Sequence, residues 1–208
     1  SSRAFASSSE VAFGAGSLTI ELGAWSGDPV DTFTAKAGAT AVTVTLGAED
    51  RFASTCSDDG DAPERVFRVT VPPGAYDLVV SATPTNFGAD NFDIVLSVET
   101  MCGVTASDAG CSDVAGADST EEVVVQNAAG EYFILVDGFG TGPGAFTSGE
   151  FEVSVRLRDI IAVGGVCDAA GVANRCVDDS ACIDGTCSAF TVINDVPPKD
   201  RDIAMVFQ

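Results

Sequence analysis

Four cysteines, Cys167, Cys176, Cys182 and Cys187, fall within 21 residues, separated by gaps of eight, five and four. Thiols this close can grip a metal, run redox chemistry or close disulfides. Structural zinc sites favour C-x2-4-C pairs on tight knuckles, which these gaps fit poorly, and the chain has no histidine to complete a mixed site. The redox spacing C-x-x-C is absent. A Gly/Asp/Ala-rich segment with almost no apolar core is better served by two disulfides. Of the three connectivities open to four cysteines, we favour the interleaved Cys167–Cys182 and Cys176–Cys187, because crossed bridges pin a short coreless loop most fully. Each would close a loop of roughly 15 residues, worth about 3 kcal/mol in the chain-entropy account. Of the other three, Cys102 and Cys111 flank GVTASDAG and would close a ten-residue hairpin-like loop. Cys56 is then the odd thiol: buried and inert (the reading we favour), free and reactive, or linked between chains.

Carboxylates are the other reactive stock. Asp58, Asp59 and Asp61 place three carboxylates around Gly60, and calcium takes six to eight oxygens from such turns. The spacing misses the EF-hand pattern, and solvated surface turns are the plainer reading. The same holds for Asp108, Asp113 and Asp118, and for Asp178-Asp179. No cofactor is expected, and calcium is the one metal these turns would suit. A glycosidase would need two carboxylates across a cleft, usually with aromatic platforms. The chain offers Trp25, Tyr76 and Tyr132, of which the tyrosines sit in strand patterns as core or corner residues. Without histidine, the Ser-His-Asp, Cys-His and HExxH mechanisms are excluded, and two lysines, Lys36 and Lys199, leave little for Schiff-base chemistry. The sequence reads as a non-enzyme.

Charge narrows the partners. With 31 acidic against 10 basic residues the formal charge is −21, which repels phosphate backbones and makes nucleic acid and anionic membrane poor partners. No apolar run is long enough to span a bilayer. The start, SSRAFASSSE, reads like a processed chain, which fits export.

The elements that must position these groups are strands. Period-two alternation puts Phe67, Val69 and Val71 on one face of RVFRVTV, and Phe92, Ile94, Leu96 and Val98 on one face of NFDIVLSVE, opposed by Asp93, Ser97 and Glu99. Phe151, Val153, Val155 and Leu157 do the same in GEFEVSVRLR. Weaker strands fit SLTIEL, DTFTA, AVTVTL, AYDLVV, EEVVVQ and EYFILVDG, punctuated by SDDGDAP, VPPGA, SDAGCSD, QNAAGE and GFGTGPGAF. About eight or nine short strands with almost no helix predict an all-β, antiparallel sandwich. We expect it over residues 1–162, then the cysteine-rich module at 163–188 and an extended tail at 189–208. That tail holds Pro197-Pro198 and one more strand-like stretch, DIAMVFQ, and both ends of the chain are expected to be docked.

Residues 64–158 resemble the bacterial pre-peptidase C-terminal domains of secreted myxobacterial-type proteins. The likeness is carried by APERVFRVTVPPGAYDLVVSA, NFDIVLSVETMCG, the second cysteine in AGCSD, EYFILVDGFG and GEFEVSVRL. It implies a jelly-roll-like sandwich that accompanies secreted peptidases without being catalytic, and it puts a bridge between Cys102 and Cys111. The segment VCDAAGVANRCVDDSACIDGTC is similar to short cysteine-rich repeats that follow such domains. NDVPPKDRDIAMVFQ resembles the stretch ending at the Q-loop glutamine of sugar-importing ABC transporter ATPases, but GxxxxGK[ST] and LSGGQ are both missing, so no nucleotide site is implied. The expected function is that of an extracellular or cell-surface bacterial protein, structural or adhesive, joining copies of itself or another surface protein by strand addition. The alternative is an accessory module of a secreted hydrolase that binds glycan or substrate, or spaces domains.

Overall fold

A computed structural model describes residues 54–56, 65–85, 92–140 and 149–190 in full, together with the backbone of four N-terminal strands at 12–13, 16–23, 31–35 and 40–45. The chain divides into two compact units, Ser1–Arg158 and Asp159–Gln208.

The first unit is all-β. Its strands are β1 (Ala12–Phe13), β2 (Gly16–Gly23), β3 (Asp31–Ala35), β4 (Thr40–Thr45), β5 (Arg65–Pro84), β6 (Ile94–Glu99), β7 (Asp108–Ser112), β8 (Glu121–Gly138) and β9 (Glu150–Ile161), whose last three residues belong to the second unit. Only one helical turn interrupts them among the described residues, a 3-10 turn at Thr105–Ser107.

The two longest strands give the sandwich its shape. Residues Arg65–Val71 of β5 pair with Gly130–Val136 of β8, and Tyr76–Ala82 pair with Glu121–Ala128, with register breaks on either side of Tyr76. The sequences VPPGA and QNAAGE, read above as turns between separate strands, instead bend two continuous strands. Pro72 and Pro73 cannot donate to a ladder, and Gly130 takes a left-handed backbone at φ 88°; so both strands kink at one level without reversing. One layer is then β3, β2, the first half of β5, the second half of β8, β6 and β7. The other holds β4, β9 and the remaining halves of β5 and β8.

The alternating faces meet between the layers. Phe67, Val69, Val71, Ile94, Leu96, Val98 and Ile134 from one layer join Leu78, Val80, Val123, Phe151, Val153 and Val155 from the other in a single buried cluster. Phe67 and Phe151 touch edge to face at 6.4 Å between centroids, the geometry that aromatic quadrupoles favour. Tyr132 lies in this core and its hydroxyl accepts the Ala129 N–H at 3.2 Å, while Tyr76 packs against the cluster. Strand β6 departs from simple alternation: Val95, Ser97 and Glu99, on its other face, are buried as well.

The described part of the second unit is built differently. Strand β10 (Asn174–Cys176) runs parallel to the last three residues of β9, and β11 (Ser180–Ile183) pairs with β12 (Thr186–Ala189) as a hairpin. Asp184 and Gly185 turn that hairpin with φ of 50° and 76°, as a two-residue type I′ loop requires. Its buried cluster consists of Cys167, Cys176 and Cys187, with Ile161 and Cys182 against them. The cystines are the core. Residues 191–208 lie outside the described residues, as do Trp25 and residues 141–148.

Candidate functional site

The bridges order the chain's reactive sulfur. Cys167 is bonded to Cys182 and Cys176 to Cys187, with Cα atoms 5.8 and 5.4 Å apart, which is the interleaved connectivity. The sulfurs of Cys167, Cys176 and Cys187 all lie within 4.8 Å of one another, a spacing that thiolates could use for a metal. Bridged sulfur has no thiolate to offer, so these residues hold the fold and not an ion.

The third bridge corrects the expected pairing. Cys111 is bonded to Cys56 and not to Cys102, with Cα atoms 5.8 Å apart. The ladder explains why. Cys111 pairs with Ser97, whereas Cys102 lies beyond the last rung, Glu99–Asp108. Three residues of strand, about 10 Å, separate that rung from Cys111, more than the roughly 4.4–6.8 Å a disulfide spans between Cα atoms. Cys111 instead faces the segment Ser54–Cys56: the Ser54 hydroxyl sits 3.0 Å from the Cys111 sulfur and 3.0 Å from the Ser97 hydroxyl. Cys56, expected as the odd thiol, is thus structural, and Cys102 stands outside the three bridges.

Asp58, Asp59 and Asp61 lie outside the described residues. The second acidic region, Asp108, Asp113 and Asp118, is split by the fold between two ends of the sandwich. At one end Asp113 shares a neighbourhood with Asp93 and Glu121, two residues the sequence analysis left without a role. Glu121 is buried, and its carboxylate accepts the Ser112 hydroxyl and the N–H groups of Val114 and Ala115. It thereby closes the loop from β7 to β8. Burial, then the charges of Asp113 and Glu121, hold the Asp93 carboxyl above its ordinary range; burial and Glu121 do the same to Asp113.

At the other end Glu99, 1% exposed, faces Asp108 across the β6–β7 rung. One Glu99 oxygen, Oε2, accepts the N–H groups of Gly103 at 2.7 Å and Val104 at 3.3 Å, and an Asp108 oxygen, Oδ2, accepts the Thr55 hydroxyl. Alternation had placed Glu99 on the polar face of β6. The one legible signal of its role was a carboxylate at a strand end followed by Gly103, whose φ of 70° lets the turn fold back over it.

One further buried carboxylate is fully tied to the scaffold. Asp77 is inaccessible and accepts from Arg158 Nε at 3.0 Å and from its NH2 group at 2.7 Å through Oδ2; the Asn127 N–H donates to Oδ1 at 3.0 Å. In the second unit, a shallow groove of about 450 Å³ runs between the Asp168–Gly171 turn and Arg175–Cys182. Two of its three acids are engaged: Asp168 accepts the N–H groups of Ala173, Ala170 and Val172, which hold its carboxyl below the ordinary range, and Asp178 pairs with Arg175 at 2.9 Å.

No protein-family model matches the chain, and a search of the curated proteins finds no match either. Among solved structures, the chain is similar to a periplasmic inhibitor of g-type lysozyme, PliG of Aeromonas hydrophila. That likeness has 11% identity over 58% of this chain and 89% of the inhibitor, with a TM-score of 0.35. It is also similar to the CBM36-1 domain of a multidomain xylanase from the hindgut metagenome of Trinervitermes trinervoides, at 14% identity over 56% of this chain and 96% of that domain, with a TM-score of 0.29.

Proposed function

We propose that this chain is a non-catalytic extracellular protein, structural or adhesive, that joins copies of itself or a surface partner by strand addition. The observation that carries the reading is the set of sheet edges. Among the described strands, β3, β4 and β7 each have a single neighbour, β2, β9 and β6 respectively. An edge of this kind offers a row of backbone donors and acceptors to an incoming strand. The strand-like pattern of DIAMVFQ would supply one. Three disulfides, which persist outside the reducing cytoplasm, support the compartment of this reading. The lack of histidine, and the use of Asp77 and Glu121 as ties to scaffold groups, support a non-catalytic role.

Size-exclusion chromatography with light scattering tests this reading. Because copies carrying −21 repel one another, assembly should strengthen as salt shortens the Debye length from about 30 Å at 0.01 M to about 10 Å at 0.1 M. The full chain should then exceed monomer mass, and a chain lacking residues 189–208 should not. A monomer under all conditions, unaltered by the truncation, refutes self-assembly. The likeness of residues 64–158 to pre-peptidase C-terminal domains favours a second reading, an accessory module of a secreted hydrolase. A glycan array with specific hits from a monomeric chain would favour it over the first.

A further inference from the structure

The turn joining β6 to β7 encloses two carboxylates whose chemistry is incomplete. Glu99 and Asp108 are cross-strand partners just past a register break, so their side chains rise from neighbouring positions on one face. Each carboxylate has one oxygen occupied: Glu99 Oε2 by the Gly103 and Val104 N–H groups, and Asp108 Oδ2 by the Thr55 hydroxyl. The other oxygen of each, Glu99 Oε1 and Asp108 Oδ1, is sealed from solvent and accepts no hydrogen bond among the described residues. Buried acceptors are almost always satisfied, and the Glu99 anion, withdrawn from water beside the half-buried Asp108, needs a counter-charge.

We propose that Glu99 Oε1 and Asp108 Oδ1 hold a hard divalent cation, calcium in kind, beneath the β6–β7 turn. Carboxylate oxygen is the donor such ions prefer, and the nearby sulfur of Cys111 is bridged and offers no competing thiolate. The two amides on Oε2 stabilise the ionised form of Glu99, the form a metal requires. Burial, and to a lesser degree the Asp108 charge, push the Glu99 carboxyl upward against those amides; a cation between the two acids reverses both effects. With two protein carboxylates and water completing the shell, affinity belongs in the range of extracellular calcium modules, about 10⁻⁴–10⁻³ M. Occupancy would lock the turn to the segment Ser54–Cys56, which the Cys56–Cys111 bridge and the Thr55–Asp108 hydrogen bond already tie to β7.

The test uses the full oxidised chain near neutral pH, with thermal unfolding followed by circular dichroism in EDTA and in calcium chloride. At calcium tenfold above its dissociation constant, the melting temperature should rise by about 3–6 °C. Equilibrium dialysis should find one more calcium on the native chain than on Glu99→Gln. That variant keeps an oxygen for Gly103 and Val104 and gains an N–H donor for Asp108 Oδ1, so it should fold without metal and melt at the same temperature with and without calcium. A native chain indifferent to about 10 mM calcium overturns the proposal. So does an equal calcium response in Glu99→Gln, which would put the ion elsewhere, for instance on Asp58, Asp59 and Asp61. A chain that ignores calcium but is stabilised by mild acid also overturns it, because the two acids would then share a proton.

Discussion

Replacing Arg158 by methionine should be among the most damaging single changes in the sandwich, and the structure sets its size. The Asp77 side chain is fully inaccessible, the Arg158 side chain is 17% exposed, and they meet at 2.7 Å. Methionine preserves most of the aliphatic packing but leaves a buried carboxylate, which also accepts the Asn127 N–H, without its guanidinium counter-charge. Breaking a buried pair from one side costs about 3–5 kcal/mol, mostly through the uncompensated charge. At about 2–4 °C per kcal/mol for a domain of this size, the melting temperature should fall by roughly 6–20 °C. Changing both partners, Asp77→Leu with Arg158→Met, removes the buried charge and should recover most of the loss, because an apolar pair of similar volume is often as stable as a buried ion pair. Urea unfolding of the native chain, both single variants and the double variant completes the cycle, provided the slope m is unchanged. A loss below about 1 kcal/mol for Arg158→Met would show the pair to be solvent-screened, as surface bridges are, and would refute the burial argument.

Non-reducing peptide mapping should recover Cys56 joined to Cys111, with Cys102 in no bridged peptide; a Cys102–Cys111 peptide would contradict the register argument. Cys56→Ser should cost the first unit about 4 kcal/mol, from closing a loop of sequence separation 55, in denaturant unfolding. Phe151→Ala removes a fully buried ring that touches Phe67 and Phe92 and should cost about 3–5 kcal/mol by the same measurement. Asp93, Asp113 and Glu99 have folded pKa values raised above their unfolded ones, so the native state binds more protons between those limits. Stability in EDTA should therefore rise as pH falls from neutrality towards their unfolded values near 3.8–4.5, and melting curves at stepped pH would show the opposite slope if those carboxyls were paired with cations.

The apolar alternation in RVFRVTV, NFDIVLSVE and GEFEVSVRLR announced the inward faces correctly, because one rule, burial of every second residue, decides all three. It could not announce that β6 is buried on both faces, since Ser97 and Glu99 are polar and read as solvent-facing; Ser97 meets Ser54, over forty positions away, and Glu99 lies under the turn at Gly103. The same distance hid the Cys56–Cys111 bridge: nearness in sequence made Cys102 the natural partner, and only the ladder register shows it to be too far along the strand. Pro72, Pro73 and Gly130 were legible as breaks in regular pairing, but sequence does not distinguish a bend from a reversal. The crossed bridges of the small module were legible, since its few valines and one isoleucine between residues 163 and 188 are too scattered to build a core, and covalent closure must hold it.

Those crossed bridges also govern what a cut can do. The loops closed by Cys167–Cys182 and Cys176–Cys187 overlap, and together they cover every peptide bond from 167 to 187. A protease that severs any one of those bonds leaves both pieces fastened through at least one bridge. The module therefore behaves as a clasp that survives a nick, and even a second one: parting its two ends takes either reduction or three cleavages, one in each interval between successive cysteines.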